Sequence, residues 1–265
     1  MKLAICQMVS GEDKAANLGE IRRLTGIAAE AGAHVAVFPE FAMLHTSQLS
    51  ASFVAEGEPL DGPFVQELSL LAEQTGVTLV AGMLEAIPGE DRGYNTVVVV
   101  TPGEGLTHTY HKAHLYDAFG FKESEYIRPG DLDGPVTFQA HGVTIGILTC
   151  YDLRFPEAAR QHADAGADLV LYPAAWVPGP RKEDHWKTLA RARAIENTGY
   201  VAAVSQGPGL GTGGSLIVDP MGLTIAELGD GVGIAVAEIF PERVADVRAT
   251  NPCLHNRRFT VAAAG

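Results

Sequence analysis

The chain has 265 residues, of which 46% are hydrophobic and 19% charged, and its formal net charge is −13. The length suits one large α/β domain or two small ones, and the acidic balance argues against nucleic acid or an anionic membrane surface as partners. No apolar run approaches the roughly 20 residues that span a bilayer, three widely spaced cysteines (Cys6, Cys150, Cys253) make no disulfide scaffold, and the opening Met1-Lys2-Leu3-Ala4-Ile5-Cys6-Gln7 lacks the apolar core of a signal peptide, so a cytoplasmic location is expected.

In chain order, Lys2 to Val9 reads as a first strand. Asn17-Leu18, Ile21, Leu24, Ile27-Ala28 and Ala31 recur at helical spacing, and Gly32 supplies the stop. Val35-Ala36-Val37-Phe38 is wholly apolar, which implies a strand buried on both faces, and it ends at Pro39-Glu40. Pro63 opens a second helix through Phe64, Leu68, Leu71 and Ala72, closed near Gly76. Val77 to Met83 and Thr96 to Val100 predict strands, hairpin-linked through the Gly/Pro-rich stretch from Pro88 to Gly93. Leu106 to Tyr110 continues the sheet into His111-Lys112-Ala113-His114. The polar stretch Asp117 to Pro129 predicts a long loop, and such loops tend to be functional in compact domains.

Val143 to Leu148 predicts a buried strand that breaks at Thr149-Cys150-Tyr151-Asp152, and Phe155-Pro156-Glu157 predicts a helix start. Cys150 therefore sits at a strand-to-helix elbow. That helix runs to about Ala165, followed by Gly166 and a strand Leu169 to Tyr172 ending at Pro173. Asp184 to Asn197 predicts a helix with Trp186, Leu189 and Ile195 on its apolar side, and Gly199 as the stop. Val201 to Val204 and Ser215 to Val218 predict strands around the Gly-rich turn from Gly207 to Gly214. Asp219-Pro220-Met221-Gly222 is a tight turn.

One stretch recurs. Ala29-Glu30-Ala31-Gly32-Ala33-His34-Val35-Ala36-Val37-Phe38-Pro39 is echoed by Ala163-Asp164-Ala165-Gly166-Ala167-Asp168-Leu169-Val170-Leu171-Tyr172-Pro173. Two similar halves of this kind imply an α/β fold, a four-layer α-β-β-α sandwich packed sheet to sheet. No linker separates the halves, so a single domain over 1–265 is expected. Glu40 in the first half is matched by Ala174 in the second, so the scaffold repeats and the carboxylate does not.

Three residues at strand ends carry possible chemistry, and each has a bland alternative. Cys150 reads as a nucleophile activated by the nearby helix start, or as a small buried hydrophobe. Glu40 reads as a partly desolvated general base with a raised pKa, or as a solvated acid. Lys112 reads as an electrostatic partner, or as an ordinary surface lysine. His111 and His114 with Cys150 and Asp152 suggest a metal-dependent hydrolase, but that spacing on an extended segment puts the two rings on opposite faces.

Taken together, Phe38-Pro39-Glu40, His111-Lys112-Ala113-His114-Leu115-Tyr116 and Thr149-Cys150-Tyr151-Asp152-Leu153-Arg154-Phe155-Pro156-Glu157 resemble the motifs of the nitrilase superfamily of carbon–nitrogen hydrolases, in type, context and order. Tyr172-Pro173-Ala174-Ala175, Arg191 to Asn197, and Gly214-Ser215 with Asp219-Pro220-Met221-Gly222 extend the likeness over about Ile5 to Phe259. The resemblance implies a Glu40-Lys112-Cys150 triad and a second glutamate at Glu123, with Glu125 as a close rival. It also implies an oxyanion contact at the Tyr151 N–H and substrate contacts at Ala174, Trp176 and Arg181.

The motif strings look most like the ω-amidase and deaminated-glutathione amidase branch. That implies hydrolysis of a small carboxamide to an acid and ammonia (or an amine) through a cysteine thioester, with nitrilase or N-carbamoyl amino acid hydrolase chemistry as alternatives on the same triad. No cofactor or metal is implied. Self-association is implied, as a homodimer pairing through the helix after Phe155 and the Trp186 helix. Finally, Arg154 and Arg181-Lys182 could present an anion site for a substrate carboxylate, or serve structurally, with Arg154 paired to Glu157 or Asp152.

Overall fold

The computed structural model describes residues 1–262. Two halves of similar plan contribute a sheet each. The first runs β1 (Lys2–Gln7), α1 (Lys14–Glu30), β2 (Val35–Val37), α2 (Ala51–Ala55), α3 (Pro63–Thr75), β3 (Thr78–Ala86), β4 (Gly93–Thr101), β5 (Gly105–His111) and β6 (Ile127–Arg128). The second runs β7 (Thr137–Ala140), β8 (Val143–Ile147), α4 (Pro156–Asp164), β9 (Leu169–Ala174), α5 (Lys182–Asn197), β10 (Tyr200–Ser205), β11 (Leu216–Val218) and β12 (Thr224–Glu227). Then β13 (Gly233–Glu238) returns to the first sheet and α6 (Pro241–Thr250) follows.

The first sheet has the order β13-β1-β2-β3-β4-β5 with β6 beside β4, and the second has the order β12-β11-β10-β9-β8-β7. In each, the central three strands are parallel: β1-β2-β3 with α1 and α3 between them in sequence, and β8-β9-β10 with α4 and α5. The flanking strands are antiparallel: β4 and β5 follow β3 in turn, β7 precedes β8, β11 and β12 follow β10, and β13 comes to β1 from the far end of the chain.

The pleat explains the layering. Leu3 and Ile5 of β1, Val35 and Val37 of β2, and Val97 and Val99 of β4 pack with Ile145, Ile147 and Leu171 of the opposite sheet. The alternate residues Ala4, Cys6, Ala36, Val98 and Val100 pack instead with Ile21 and Leu24 of α1 and Leu68 of α3. Period-2 side-chain alternation thus gives each central strand two apolar faces, one toward the other sheet and one toward helices. The α-β-β-α arrangement follows.

Several elements differ from the sequence pattern. The first strand ends at Gln7, whose buried side chain donates to Gly229 O and Gly231 O and accepts from Ser215. Helix α5 starts at Lys182, and Ile195 is exposed, lying over Gly222 rather than in the core. The Asp117–Pro129 segment holds a short 3-10 turn at Glu123–Glu125 and strand β6. No pattern announces β7, β12, β13, α2 or α6. Among the described residues, no helix is long and apolar enough to cross a membrane.

Candidate active site

Glu40, Lys112 and Cys150 lie just beyond the C-terminal ends of β2, β5 and β8, the end of an α/β sheet where ligands characteristically bind. They meet at the wall of a cavity of about 720 Å³ together with Glu123, Tyr151 and Trp176.

Glu40 is placed by a close backbone approach. The chain after β2 lies so tightly on β3 that a Cβ at Gly82 would come within 2.7 Å of the Glu40 Cα, and Gly82 N donates to Pro39 O. Only glycine allows that contact. Glu40 is 2% exposed. Its Oε1 accepts from Lys112 Nζ at 2.9 Å and from Asn95 Nδ2 at 2.7 Å, and its Oε2 accepts from Ala175 N at 2.6 Å. Gln206 Nε2, from the second half, donates to the Glu40 carbonyl.

Lys112 is also 2% exposed and bridges Glu40 to Glu123, donating to Glu123 Oε2 at 2.8 Å. Glu123 further accepts from Tyr116 N and from Asn95 Nδ2 at 3.0 Å. The structure therefore brings Glu123 into the cluster, while Glu125 is half exposed in a surface pair with Lys122. Asn95, fully buried on β4, was not singled out by its motif. The one available signal is positional: it is a polar residue on the same strand face as Val97 and Val99.

Cys150 occupies a left-handed backbone position, φ 45°, at the start of a 3-10 turn over Cys150–Arg154. A non-glycine residue there is strained, and such strain persists only where surrounding bonds hold it. Asp152 does the holding. Fully buried, its carboxylate accepts from Thr149 N (2.8 Å), Tyr110 Oη (2.7 Å), His114 N (3.0 Å) and the His114 ring (2.7 Å). It thereby ties the Cys150 elbow to the strand end carrying Lys112. His111 turns the other way, to Glu85. The two histidines serve different carboxylates, and among the described residues no group of three His, Cys, Asp or Glu is arranged to hold a metal.

The electrostatics differ from the expected ones. Burial pushes Glu40 up, but the Lys112 ammonium and the Ala175 N–H outweigh it and hold the carboxyl below its ordinary value. Burial and the Glu40 charge raise the Cys150 thiol well above its ordinary value, against a smaller opposite pull from Lys112. Lys112 would lose charge by burial alone, yet Glu123 and Glu40 keep it protonated well above its usual range. The resting site is thus an ionised Glu40, a protonated lysine and a neutral thiol, whereas the motif reading favoured a raised glutamate and a ready thiolate. Desolvation acts on the thiol without enough compensating donors, while Glu40 has three.

Two of the residues expected to contact substrate do not border the cavity, and their chain neighbours do. Ala174 is the last residue of β9 and is fully buried, and it is Ala175 that borders the cavity and donates to Glu40. Arg181 is exposed, with the left-handed φ of 58° that turns the chain into α5, and Lys182 points inward instead. Lys182 Nζ donates to Tyr116 Oη at 2.9 Å and lies over the rings of Phe119 (4.5 Å), Tyr116 (5.0 Å) and Trp176 (5.4 Å). Burial and the neighbouring Arg154 charge lower its pKa. Arg154 lies over Trp176 at 4.9 Å and meets His185 Nδ1. It pairs with neither Glu157 nor Asp152, and among the described residues no carboxylate forms an ion pair with Arg154 or Lys182.

A family model described as carbon–nitrogen hydrolase matches residues 2–249. The chain is 38% identical to a deaminated glutathione amidase of Escherichia coli O157:H7 over 88% of this chain and 87% of that protein. It is 35% identical to an ω-amidase of Danio rerio over 97% and 94% respectively. Among solved structures, Saccharomyces cerevisiae Nit3, a member of branch 10 of the nitrilase superfamily, aligns with a TM-score of 0.86 at 32% identity, covering 98% of this chain and 97% of that one.

Proposed function

The chain belongs to the carbon–nitrogen hydrolase family, and on that premise we propose that it hydrolyses the C–N bond of a small carboxamide bearing a carboxylate, through a thioester on Cys150. The observation that carries the reading is the pairing of an ionised, three-donor Glu40 with a neutral buried thiol and a lysine locked between two carboxylates.

As Sγ of Cys150 attacks the amide carbon, its proton passes to Glu40. The total charge of the buried group does not change, which suits a desolvated site. Negative charge then develops on the carbonyl oxygen, where Lys112 Nζ and the Tyr151 N–H stabilise it. Collapse of the tetrahedral adduct returns the proton from Glu40 to the departing nitrogen and frees ammonia, leaving the thioester. Water, deprotonated by Glu40, attacks the thioester; the carboxylic acid leaves and the thiol recovers its proton. The sum is amide plus water to acid plus ammonia. Glu123 orients Lys112 throughout.

The carboxylate preference rests on Lys182 and Arg154, two cations on the cavity wall with no anionic partner among the described residues, in a chain of net charge −13. A planar guanidinium on an aromatic face suits a carboxylate. The same family reading supports pairing of two copies through α4 and α5, where Ile195 of α5 is exposed beside the β11–β12 turn with its exposed Met221 and Leu223.

Ammonia release from matched amides with and without a distal carboxylate tests the proposal. The acid-bearing amide should have the higher kcat/KM in the wild type, and Lys182→Ala or Arg154→Ala should erase that preference while Arg181→Ala leaves it. Equal kcat/KM for both amides would remove the cation pair from the site, and turnover retained in Cys150→Ala would remove the mechanism.

A further inference from the structure

The hydrogen bonds around Glu40 distinguish its two oxygens, and they do so through Asn95. We infer that Asn95 is a positioning residue that makes Oε2 of Glu40 the oxygen carrying the catalytic proton. The inference rests on the proposed function for the identity of that proton, and on geometry for its path.

A carboxylate oxygen has two lone pairs. Both on Oε1 are taken, by Asn95 Nδ2 at 2.7 Å and Lys112 Nζ at 2.9 Å. Among the described residues no N–H or O–H other than Ala175 N donates to Oε2, so one lone pair remains there. A proton arriving from the thiol therefore has a single vacant position. Asn95 divides its two amide hydrogens between Glu40 Oε1 and Glu123 Oε1. With Lys112, which also touches both carboxylates, it closes a ring of four hydrogen bonds: Glu40, Lys112, Glu123, Asn95.

Lysine alone would hold the charges together without distinguishing the Glu40 oxygens, because an ammonium rotates freely. The planar amide cannot. Its orientation is dictated by its neighbours, since the opposite flip would aim its oxygen at two carboxylates. Its backbone is anchored in the same place: Asn95 O accepts from Lys112 N at 2.9 Å. The titratable groups facing Glu40 are Lys112, Glu123, Cys150 and His45, whose ring burial holds near pKa 4 and therefore neutral.

The test compares Asn95→Asp, which keeps the shape and reverses the hydrogen-bonding sense, with Asn95→Ala. The readouts are kcat and KM for ammonia release across pH, and the pH profile of Cys150 alkylation by iodoacetamide, which needs no substrate. In Asn95→Ala, kcat should fall by roughly 10-fold or more while KM changes little, since a proton relay and not binding is disturbed. The acidic limb of both profiles should move to higher pH, because Glu40 has lost a donor. Asn95→Asp should be worse at neutral pH and move the limb further. Asn95→Ser, with one donor left, should shift the limb less than Asn95→Ala, and it stands in if the alanine variant does not fold. Profiles with the wild-type limb, or Asn95→Asp milder than Asn95→Ala with losses that track Tm alone, would overturn the inference and leave Asn95 as packing. Should the wild type release ammonia from no amide, the functional reading fails, and the alkylation profiles still decide the Asn95 role.

Discussion

The strand ends after β2 and β9 are the same structure with opposite chemistry. Each follows a helix stopped by a glycine of positive φ, Gly32 at 74° and Gly166 at 86°, then a buried strand with a proline at its end, Pro39 just beyond β2 and Pro173 one residue before the end of β9. Beyond Pro39 the first half presents the Glu40 carboxylate. Beyond Pro173 the second half presents Ala174 and the Ala175 N–H, which donates to Glu40 Oε2 at 2.6 Å. The halves are thus complementary where they are most alike: one supplies a buried charge and the other a fixed donor for it. A carboxylate at Ala174 would instead be buried in the apolar core, where a charge without donors is costly. The asymmetry is what allows the repeat to hold a reactive group.

The sharpest break in that comparison is at the elbow that follows β8, which has no counterpart after β1. Cys150→Ala should abolish ammonia release while leaving Tm close to wild type, and Cys6→Ala and Cys253→Ala should stay active. Loss of turnover in Cys6→Ala, with Cys150→Ala active, would assign the nucleophile to the wrong half. Exchanging the strand ends tests the complementarity itself. Glu40→Gln should lower kcat by about 10²–10⁴-fold, the usual weight of a general acid–base group. Combining Glu40→Ala with Ala174→Glu should not restore activity, and it should cost about 3–5 kcal/mol of stability by leaving a buried charge without its partners. Recovery of turnover would show the two ends to be interchangeable.

The pH dependence of stability sharpens the same contrast. Glu40 is held below its ordinary 4.5 in the folded state, so its contribution is present above that value and is lost as pH falls through the lower folded value. Glu40→Gln should therefore flatten the fall in Tm below about pH 4.5 while Ala174→Ser leaves it unchanged. An acid limb identical in wild type and Glu40→Gln would contradict the lowered carboxyl. Smallest in catalytic effect is the clip at Asp152. Asp152→Asn leaves the His114 and Thr149 donors with a weaker acceptor, and about 1–3 kcal/mol of stability should go with it. Denaturant midpoints read that loss, with kcat falling more than KM rises as the Cys150 elbow loosens.

Much of this was legible beforehand because it is local. Apolar runs such as Val35-Ala36-Val37-Phe38 must be buried on both faces, a glycine must stop α1 and α4, and a chain leaving a buried strand puts its next polar residue at the sheet edge. Those rules placed Glu40, Lys112 and Cys150 at strand ends, and the repeat of the pattern in both halves implied two sheets covered by helices. What the tertiary structure decided depends on distance between elements remote in sequence. Asn95 looks like an ordinary strand residue until β4 is set beside Lys112 and the Glu123 turn. Ala175 rather than Ala174 borders the cavity because the chain leaves β9 there, and Lys182 rather than Arg181 because the left-handed turn at Arg181 sets the direction in which α5 begins. Strand β13 finds β1 across more than 200 residues, as Gln7 finds Gly229. The direction of the Cys150 and Glu40 pKa shifts follows from the balance of burial against donors, a quantity that exists only once the chain has folded and the water has left.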